Sequence, residues 1–397
     1  MMRQTGNHQL VKKINKTLVL NMIKENGPLS RATVAHKLGL NRATVSSLVS
    51  ELIDEKLVYE SGIGESNGGR RPVMLLFNNL AGYTISVDVG VNYILGVLTN
   101  LGGKIIQEKN IPIKDTSYQI VVSQIKNIIR FLIKEMPDSP YGLLGIGIGV
   151  PGVVDTEGKI LIAPNLGWRN VTFKKELEKE FNTEVIIENE ANAGAYGEKK
   201  WGIGHKASDL IYLSIGIGIG TGLIIKNELY RGINGYAGEL GHMIIDINGH
   251  KCRCGNYGCW ELYASENTLL KEARDLSYFK NKHAEPTLEL LMALAEQGNE
   301  EVIALFSEIG KYLGIGITNI IKCFNPKQII IGNRLALAKK WIQKPLSDVL
   351  SSYTLKFYKN DLNIEFASLS PYSASLGLSS FVIESFLKNN SVMPNPS

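Results

Sequence analysis

Three cysteines and one histidine carry the most direct chemical signal in this chain. Gly238-Glu-Leu-Gly-His242 is followed, after nine residues, by Cys252-Arg-Cys254-Gly-Asn-Tyr-Gly-Cys259-Trp-Glu261. Three thiolates and one imidazole are the ligand set of a closed tetrahedral zinc site, with no coordination position left for a reactive water. Zn2+ held by His242, Cys252, Cys254 and Cys259 is therefore expected to shape the loop and to activate no nucleophile. The two glycines between Cys254 and Cys259 let the backbone fold back so that all three sulfurs face one ion. A free buried thiol is the alternative for any one of these cysteines; in a reducing compartment the cluster as a whole indicates metal before disulfide. Cys323 stands alone in an apolar helix-to-strand connection and is expected in the core.

A second set of residues points to DNA, and the elements that position them lie at the N-terminus. Leu10, Ile14, Leu18, Met22 and Ile23 keep helical spacing, with Asn7 as N-cap and Gly27-Pro28 as the stop. Ser30 caps a short helix through Leu38, Gly39-Leu40-Asn41 makes a turn, and a further helix runs from about Arg42 to Glu55, a helix-turn-helix pattern. Val45, Leu48, Val49 and Leu52 share one face of that last helix, which leaves Arg42, Thr44, Ser47 and Glu51 outward. Small polar groups and an arginine near its N-terminal end suit a DNA major groove. Arg31, on the preceding helix, joins them as a candidate DNA contact. Leu57–Glu60 and Pro72–Phe77 read as strands joined by the turn-rich Gly62–Arg71, which makes the module a winged helix-turn-helix. Arg70 and Arg71 at the wing tip are placed to reach phosphates or the minor groove. A solvated helix bundle is the alternative, and the turn, the polar outer face and the wing argue against it.

Charge follows the same division. The 397 residues carry a formal +5; residues 1–80 hold 11 basic and 6 acidic side chains, and the remaining residues balance. With 44% apolar and 20% charged residues the chain has a sizeable core, and its length predicts two or three domains. The polar Met1–Leu10 segment lacks the apolar stretch of a signal peptide and no run of 18 apolar residues occurs, so a cytoplasmic protein without membrane contact, at the nucleoid when on DNA, is expected. A boundary near Asn78–Gly82 separates a DNA-binding domain (1–80) from a second unit (81–397). There, strand-like runs at 83–90, 94–99 and 104–107 precede a helix over 118–134, and the strand theme returns at 210–215, at 221–225 and after Asn227, which predicts an α/β protein.

The Glu-x-Gly-His and Cys-x-Cys-Gly-x-x-Gly-Cys-x-Glu motifs, with Gly147–Gly152 and Glu188-Asn-Glu-Ala-Asn192, resemble the ROK family (repressors, open reading frames, kinases) from about Tyr83 to Leu387. The added winged helix is similar to the family's repressor branch. This resemblance implies a duplicated actin-like ATPase fold of the sugar-kinase type. It also implies a sugar site built from Asn189, Glu190, Glu239, His242 and Glu261, with Asn165 and Trp168 of the Pro164–Trp168 stretch at the cleft and His242 shared with zinc. A sugar presents hydroxyls, and carboxylates accept several hydrogen bonds from them in a partly desolvated cleft. The implied protein is a homodimeric repressor that reads half-sites of a palindromic operator. Its implied inducer is D-xylose or a related monosaccharide, and its implied targets are xylose-utilisation genes.

Departures from the family's kinases decide between regulator and enzyme. Glu190 stands where the kinases carry an aspartate base, and its extra methylene moves the carboxylate by about 1.5 Å, when a base must sit within about 2.6–3.2 Å of the hydroxyl it serves. Val91, beside Gly90, has a Cβ that crowds a phosphate, Ile217 replaces a threonine hydroxyl, and Gly332-Asn333-Arg334 replaces a run of glycines. No catalytic residue and no nucleotide site are expected. The rival reading is an active ATP-dependent sugar kinase with a regulatory DNA-binding domain.

Overall fold

The N-terminal module begins with a helix that is apolar on two opposite sides. In the computed structural model, which describes residues 8–63 and 72–390, α1 (His8–Asn26) buries Val19, Leu20 and Ile23, while Leu10, Ile14 and Leu18 are about half exposed. Of the row Leu10, Ile14, Leu18, Met22 and Ile23 only Ile23 is buried, because the packing partners sit on the side of Val19 and Ile23. Asn7, the expected cap, lies outside the described residues, as do Arg70 and Arg71 of the wing tip.

After β1 (Leu29–Ser30), α2 (Arg31–Leu38) starts where the Ser30 hydroxyl accepts the Thr33 N–H and stops at Gly39, whose φ is 64°. α3 (Arg42–Asp54) starts where the Asn41 side chain accepts the Ala43 N–H, and it buries Val45, Leu48, Val49 and Leu52 as expected. β2 (Val58–Ile63) and β3 (Val73–Phe77) pair antiparallel, and β1 adds to β3 as a third strand that periodicity did not reveal. Glu51 is a correction. It turns toward α1, where it meets Lys12 at 2.7 Å, so the outward face of α3 is polar and carries Arg42 at one end and the exposed Asp54 at the other.

The rest of the chain forms two lobes with one topology. The first holds β4 (Tyr83–Val89), β5 (Tyr93–Asn100), β6 (Ile105–Pro112), α4 (Tyr118–Lys134), β7 (Leu143–Val150), β8 (Val153–Val154), β9 (Ile160–Ala163), β10 (Trp168–Val171), α5 (Lys174–Phe181) and β11 (Val185–Asn189). Between the lobes comes α6 (Glu190–Lys200). The second holds β12 (Leu210–Ile215), β13 (Ile219–Ile225), β14 (Glu228–Leu229), α7 (Glu261–Ala264), α8 (Glu266–Ala273), α9 (Ser277–Lys282), α10 (Leu288–Glu296), α11 (Glu300–Phe324), β15 (Gln328–Gly332), α12 (Lys339–Tyr353), α13 (Lys356–Lys359) and β16 (Asn363–Phe366). The chain then returns through α14 (Ser373–Asn390).

The sheet orders are β6-β5-β4-β7-β11 and β14-β13-β12-β15-β16. In both, the first three strands run antiparallel and the last two join in parallel, so the duplication expected from the repeated strand pattern is realised strand for strand. Each lobe has its own core: α4 buries Val121, Ile125, Ile128 and Leu132 over the first sheet, and α11 buries Phe306, Leu313 and Ile317 over the second. Cys323 lies in the last turn of α11, off the stripe that runs through Ile317, Ile320 and Ile321, and it is exposed where a core position was expected. The core of the N-terminal module does not end at residue 80: Ala81 and Leu101 of the first lobe and Ile383 and Leu387 of α14 are buried in it.

Candidate functional site

Every residue of the expected sugar set lines one cavity of about 300 Å³ between the lobes: Asn165, Asn189, Glu190, Glu239, His242 and Glu261. The first lobe contributes its share through the end of β11. There Asn189 caps α6, its carbonyl accepting the N–H groups of Ala191 and Asn192 at 2.9 and 3.0 Å while its amide donates to Gly152 O at 2.9 Å. Most of the Asn189 amide is thus committed to backbone, and what it positions is Glu190, the first residue of α6. The Glu190 carboxylate accepts from the Ser214 hydroxyl and from the Asn333 amide at 3.2 Å. Burial pushes Glu190 up to about 8, the negative Asp88 adds to the rise, and the two hydrogen bonds oppose it. Asp88 is itself raised to about 6 by burial, against the hydrogen bond it accepts from Tyr93 at 2.8 Å.

Ser214, Asn333 and Arg253 are cleft residues that the sequence reading did not assign to the sugar. They come from β12, the turn after β15 and the cysteine loop, and no local spacing links them. Arg253 donates to Asn165 Oδ1 at 3.0 Å and so joins the cysteine loop to the opposite lobe. Arg334, whose guanidinium meets Glu266 at 3.0 Å and Glu289 at 3.1 Å, is fully paired at the cleft edge. Trp168 is a correction: it is buried in the first-lobe core, its ring N–H donating to Thr116 O at 2.9 Å and its face packed edge-on by Tyr118 and Phe173. Ile217 and Val91 do line the cleft.

At one wall of the cavity stands the His–Cys cluster. The ligand atoms of His242, Cys252, Cys254 and Cys259 all lie within 4.8 Å of one another. Cys254 and Cys259 sulfurs are 3.6 Å apart, and Cys252 Sγ is 3.6 Å from His242 Nδ1. A tetrahedral zinc with Zn–S bonds of about 2.3 Å separates two sulfurs by about 3.8 Å, whereas a disulfide needs about 2.05 Å. The set therefore fits a metal ion. Burial pushes the Cys252 and Cys259 thiols up, Cys259 to about 11, so a cation that binds here must displace protons.

The backbone explains the spacing. Cys252 N–H donates to Asn256 O at 2.7 Å, and Gly258 adopts φ 67°, where a Cβ would lie 1.6 Å from Asp246 O. Trp260, directly after Cys259, is fully buried and donates to Tyr312 O at 2.8 Å, which ties the loop to α11. His242 faces two ways: Nδ1 toward Cys252 and, at 3.5 Å, Glu261, and Nε2 toward Glu239 at 3.9 Å. One imidazole thus touches both the metal cluster and the carboxylates of the cleft.

On the N-terminal module, Arg42, Thr44 and Ser47 are exposed along α3, and Ser46 and Ser50 extend that polar surface. Arg31 is half-buried and donates through one nitrogen to Glu60 of β2 at 2.6 Å.

The chain has known relatives throughout its length. Residues 84–385 match the ROK family, and residues 14–59 match the winged helix-turn-helix DNA-binding family. The xylose repressor of Bacillus spizizenii (strain ATCC 23059 / NRRL B-14472 / W23) is 46% identical over 377 residues, covering 95% of this chain and 97% of that protein. Among solved structures, a ROK family transcriptional regulator that is a homologue of the Escherichia coli MLC protein superposes with TM-score 0.81 at 28% identity, over 96% of this chain and 99% of its own. A ROK family glucokinase from Streptomyces griseus, in complex with glucose and AMPPNP, superposes with TM-score 0.69 at 27% identity over 76% of this chain and 99% of its own. The two-lobed unit with its His–Cys cluster, and the relatives that match it from end to end, establish that this chain belongs to the ROK family and carries a winged helix-turn-helix at its N-terminus.

Proposed function

We propose that the protein is a sugar-responsive transcriptional repressor that leaves its operator when D-xylose binds. The observation that carries this reading is a single cleft that gathers Asn165, Asn189, Glu190, Glu239, His242 and Glu261 in a chain whose other module exposes a polar helix suited to a DNA groove. D-xylose is favoured as effector by the name of the Bacillus relative. Zn2+ is the assigned metal, held by His242, Cys252, Cys254 and Cys259 in a structural role, so that the sugar meets His242 through Nε2 while Nδ1 faces the metal. Arg42, Thr44 and Ser47 read bases, and Arg31, Arg70 and Arg71 hold phosphates. A homodimer in the cytoplasm presents two such modules to a palindromic operator.

The same cleft is poorly equipped for phosphoryl transfer. Burial and the neighbouring Asp88 raise the Glu190 pKa, so a smaller share of this carboxyl is free at neutral pH to accept a proton from a sugar hydroxyl. The side chains of Ile217 and Val91 offer a phosphate no hydrogen bond, and the Arg334 charge is already matched by Glu266 and Glu289. A mobility-shift assay on promoter DNA with D-xylose, D-glucose or ATP, run beside a coupled ADP assay, tests the reading. The expected result is release by D-xylose, no effect of ATP and ADP formation at background; sugar-dependent ADP production would establish the kinase instead. Glu261→Ala and Glu239→Ala are expected to stay on DNA in D-xylose. Substitutions at Arg42, Thr44 or Ser47 should change operator preference, whereas loss of Arg70 or Arg71 should weaken all sequences and flatten the salt dependence.

A further inference from the structure

Helix α14 runs from α6 to the DNA-binding module, and the packing along it is of two kinds. Against α6 the backbones touch: a Cβ on Gly377 would lie 1.7 Å from Ala193 O, and one on Gly197 would lie 2.0 Å from Ser373 O. On its other side α6 meets the second-lobe sheet as closely, since a Cβ on Gly222 would lie 2.4 Å from Ala191 O. Second lobe, α6 and α14 are thereby interlocked, because backbone packed this closely has no nearby alternative arrangement.

Against the first-lobe sheet α14 meets a different surface. β7 presents Gly145 under Val382 and Gly147 under Leu378, with no side chain to interdigitate. β4 presents Thr84, Ser86 and Asp88 at alternate positions, all buried. The hydroxyls of Thr84, Thr99 and Ser379 form a closed ring at 2.7–2.8 Å. The glycine contacts make α14 antiparallel to β7, and β4 runs parallel to β7, so two residues on from Thr84 and one turn back from Ser379 lead to Ser86 and Ser375. Those steps are about 6.8 Å on a strand and about 6 Å on a helix, which keeps the hydroxyls level. Yet Ser86 Oγ, Ser375 Oγ and, at the cleft end of the row, Asp88 Oδ1 are buried with no hydrogen-bond partner among the described residues. Unpaired buried polar groups raise the free energy of the arrangement that contains them.

We propose that α14 slides along this hydroxyl seam when the cleft takes up sugar, and that the slide alters the core of the winged helix-turn-helix. The inference rests on the sugar-responsive reading given above. At its near end α14 is interlocked with α6, whose first residue is Glu190 in the cleft. At its far end Ile383 and Leu387 are buried with Val19, Ile23 and Leu57 of the DNA-binding module. Movement of one lobe on the other must shear some layer of this stack. The hydroxyl seam is the layer that yields, since hydroxyls rotate and exchange partners over a small shift where interdigitated apolar side chains lock.

The test is a titration of D-xylose into the protein–operator complex, read as the sugar concentration for half-release. Ser379→Ala removes a hydrogen bond made in the arrangement described here, whereas Ser375→Ala and Ser86→Ala remove hydroxyls left unpaired in it. Ser379→Ala is expected to shift half-release at least threefold in one direction, and Ser375→Ala and Ser86→Ala at least threefold in the other. Ser385→Ala, on the same helix but bonded to Glu184 away from the seam, shifts nothing. Amide exchange along 375–387 is the independent readout, and saturating D-xylose should change its protection in the wild type. Shifts of one sign, values equal to wild type, or unchanged exchange overturn the slide while leaving sugar-dependent release intact. A wild type that D-xylose does not release overturns the sugar reading and the slide with it.

Discussion

Glu190 has a charge governed by groups that the fold brings to it and not by its neighbours in sequence. Its place in the Glu188–Asn192 motif was legible, and so was the extra methylene. The environment that determines its charge was not, because Asp88, Ser214 and Asn333 come from three separate strands or turns and meet it only after both lobes form. Trp168 failed in the opposite way, since a ring near Asn165 in sequence packs away from the cleft onto Tyr118 and Phe173. A raised carboxyl pKa in the folded state means that the native protein keeps a proton that the unfolded chain has released. Its contribution therefore turns unfavourable as pH rises above the ordinary carboxylate range near 4 and is fully unfavourable above about 8. Relative to Glu190→Gln, the wild type is expected to lose Tm as pH goes from 5 to 8.5. Parallel Tm profiles for the two proteins would show that Glu190 is ionised throughout.

At the scale of elements, what was readable was local. The Ser30 cap, the α3 core face and the α4 span appear where spacing placed them, because caps and apolar periodicity act within a few residues, whereas Asn41, read only as part of the turn, caps α3. The cysteine loop was readable for the same reason, its glycines and ligands lying side by side. Chelation of the zinc proposed for it is expected to lower Tm and D-xylose affinity together, since His242 serves both wall and cluster, and Zn2+ should restore both. A Tm indifferent to chelation would mean that the loop holds itself. Long-range pairs left no such trace. Glu266 at the start of α8 is 1% exposed and is balanced by Arg334 from the turn after β15. Arg334→Ala should destabilise the protein by about 3 kcal/mol in denaturant melts by stranding that carboxylate, and adding Glu266→Gln should recover much of the loss. The meeting of α6 with α14 was equally hidden, because its signal is a set of glycines on helices far apart in sequence.

The whole molecule joins a basic N-terminal module to a duplicated, charge-balanced pair of lobes. The duplication was visible as a recurring strand pattern, and the identical strand orders give it physical form. The continuity of the two units was not visible: a boundary drawn at residue 80 from charge and composition misses that Ile383 and Leu387, from the far end of the chain, complete the core of the DNA-binding module. That shared core makes the central claim a statement of linkage, because two ligands that bias one structure must change each other's affinity by the same factor. The direct measurement is the calorimetric Kd for D-xylose, taken on the free protein and on the protein saturated with operator DNA. The account predicts that operator weakens D-xylose binding at least tenfold, by the factor with which D-xylose weakens operator binding. Equal Kd values in the two titrations, or no D-xylose binding at all, would contradict it.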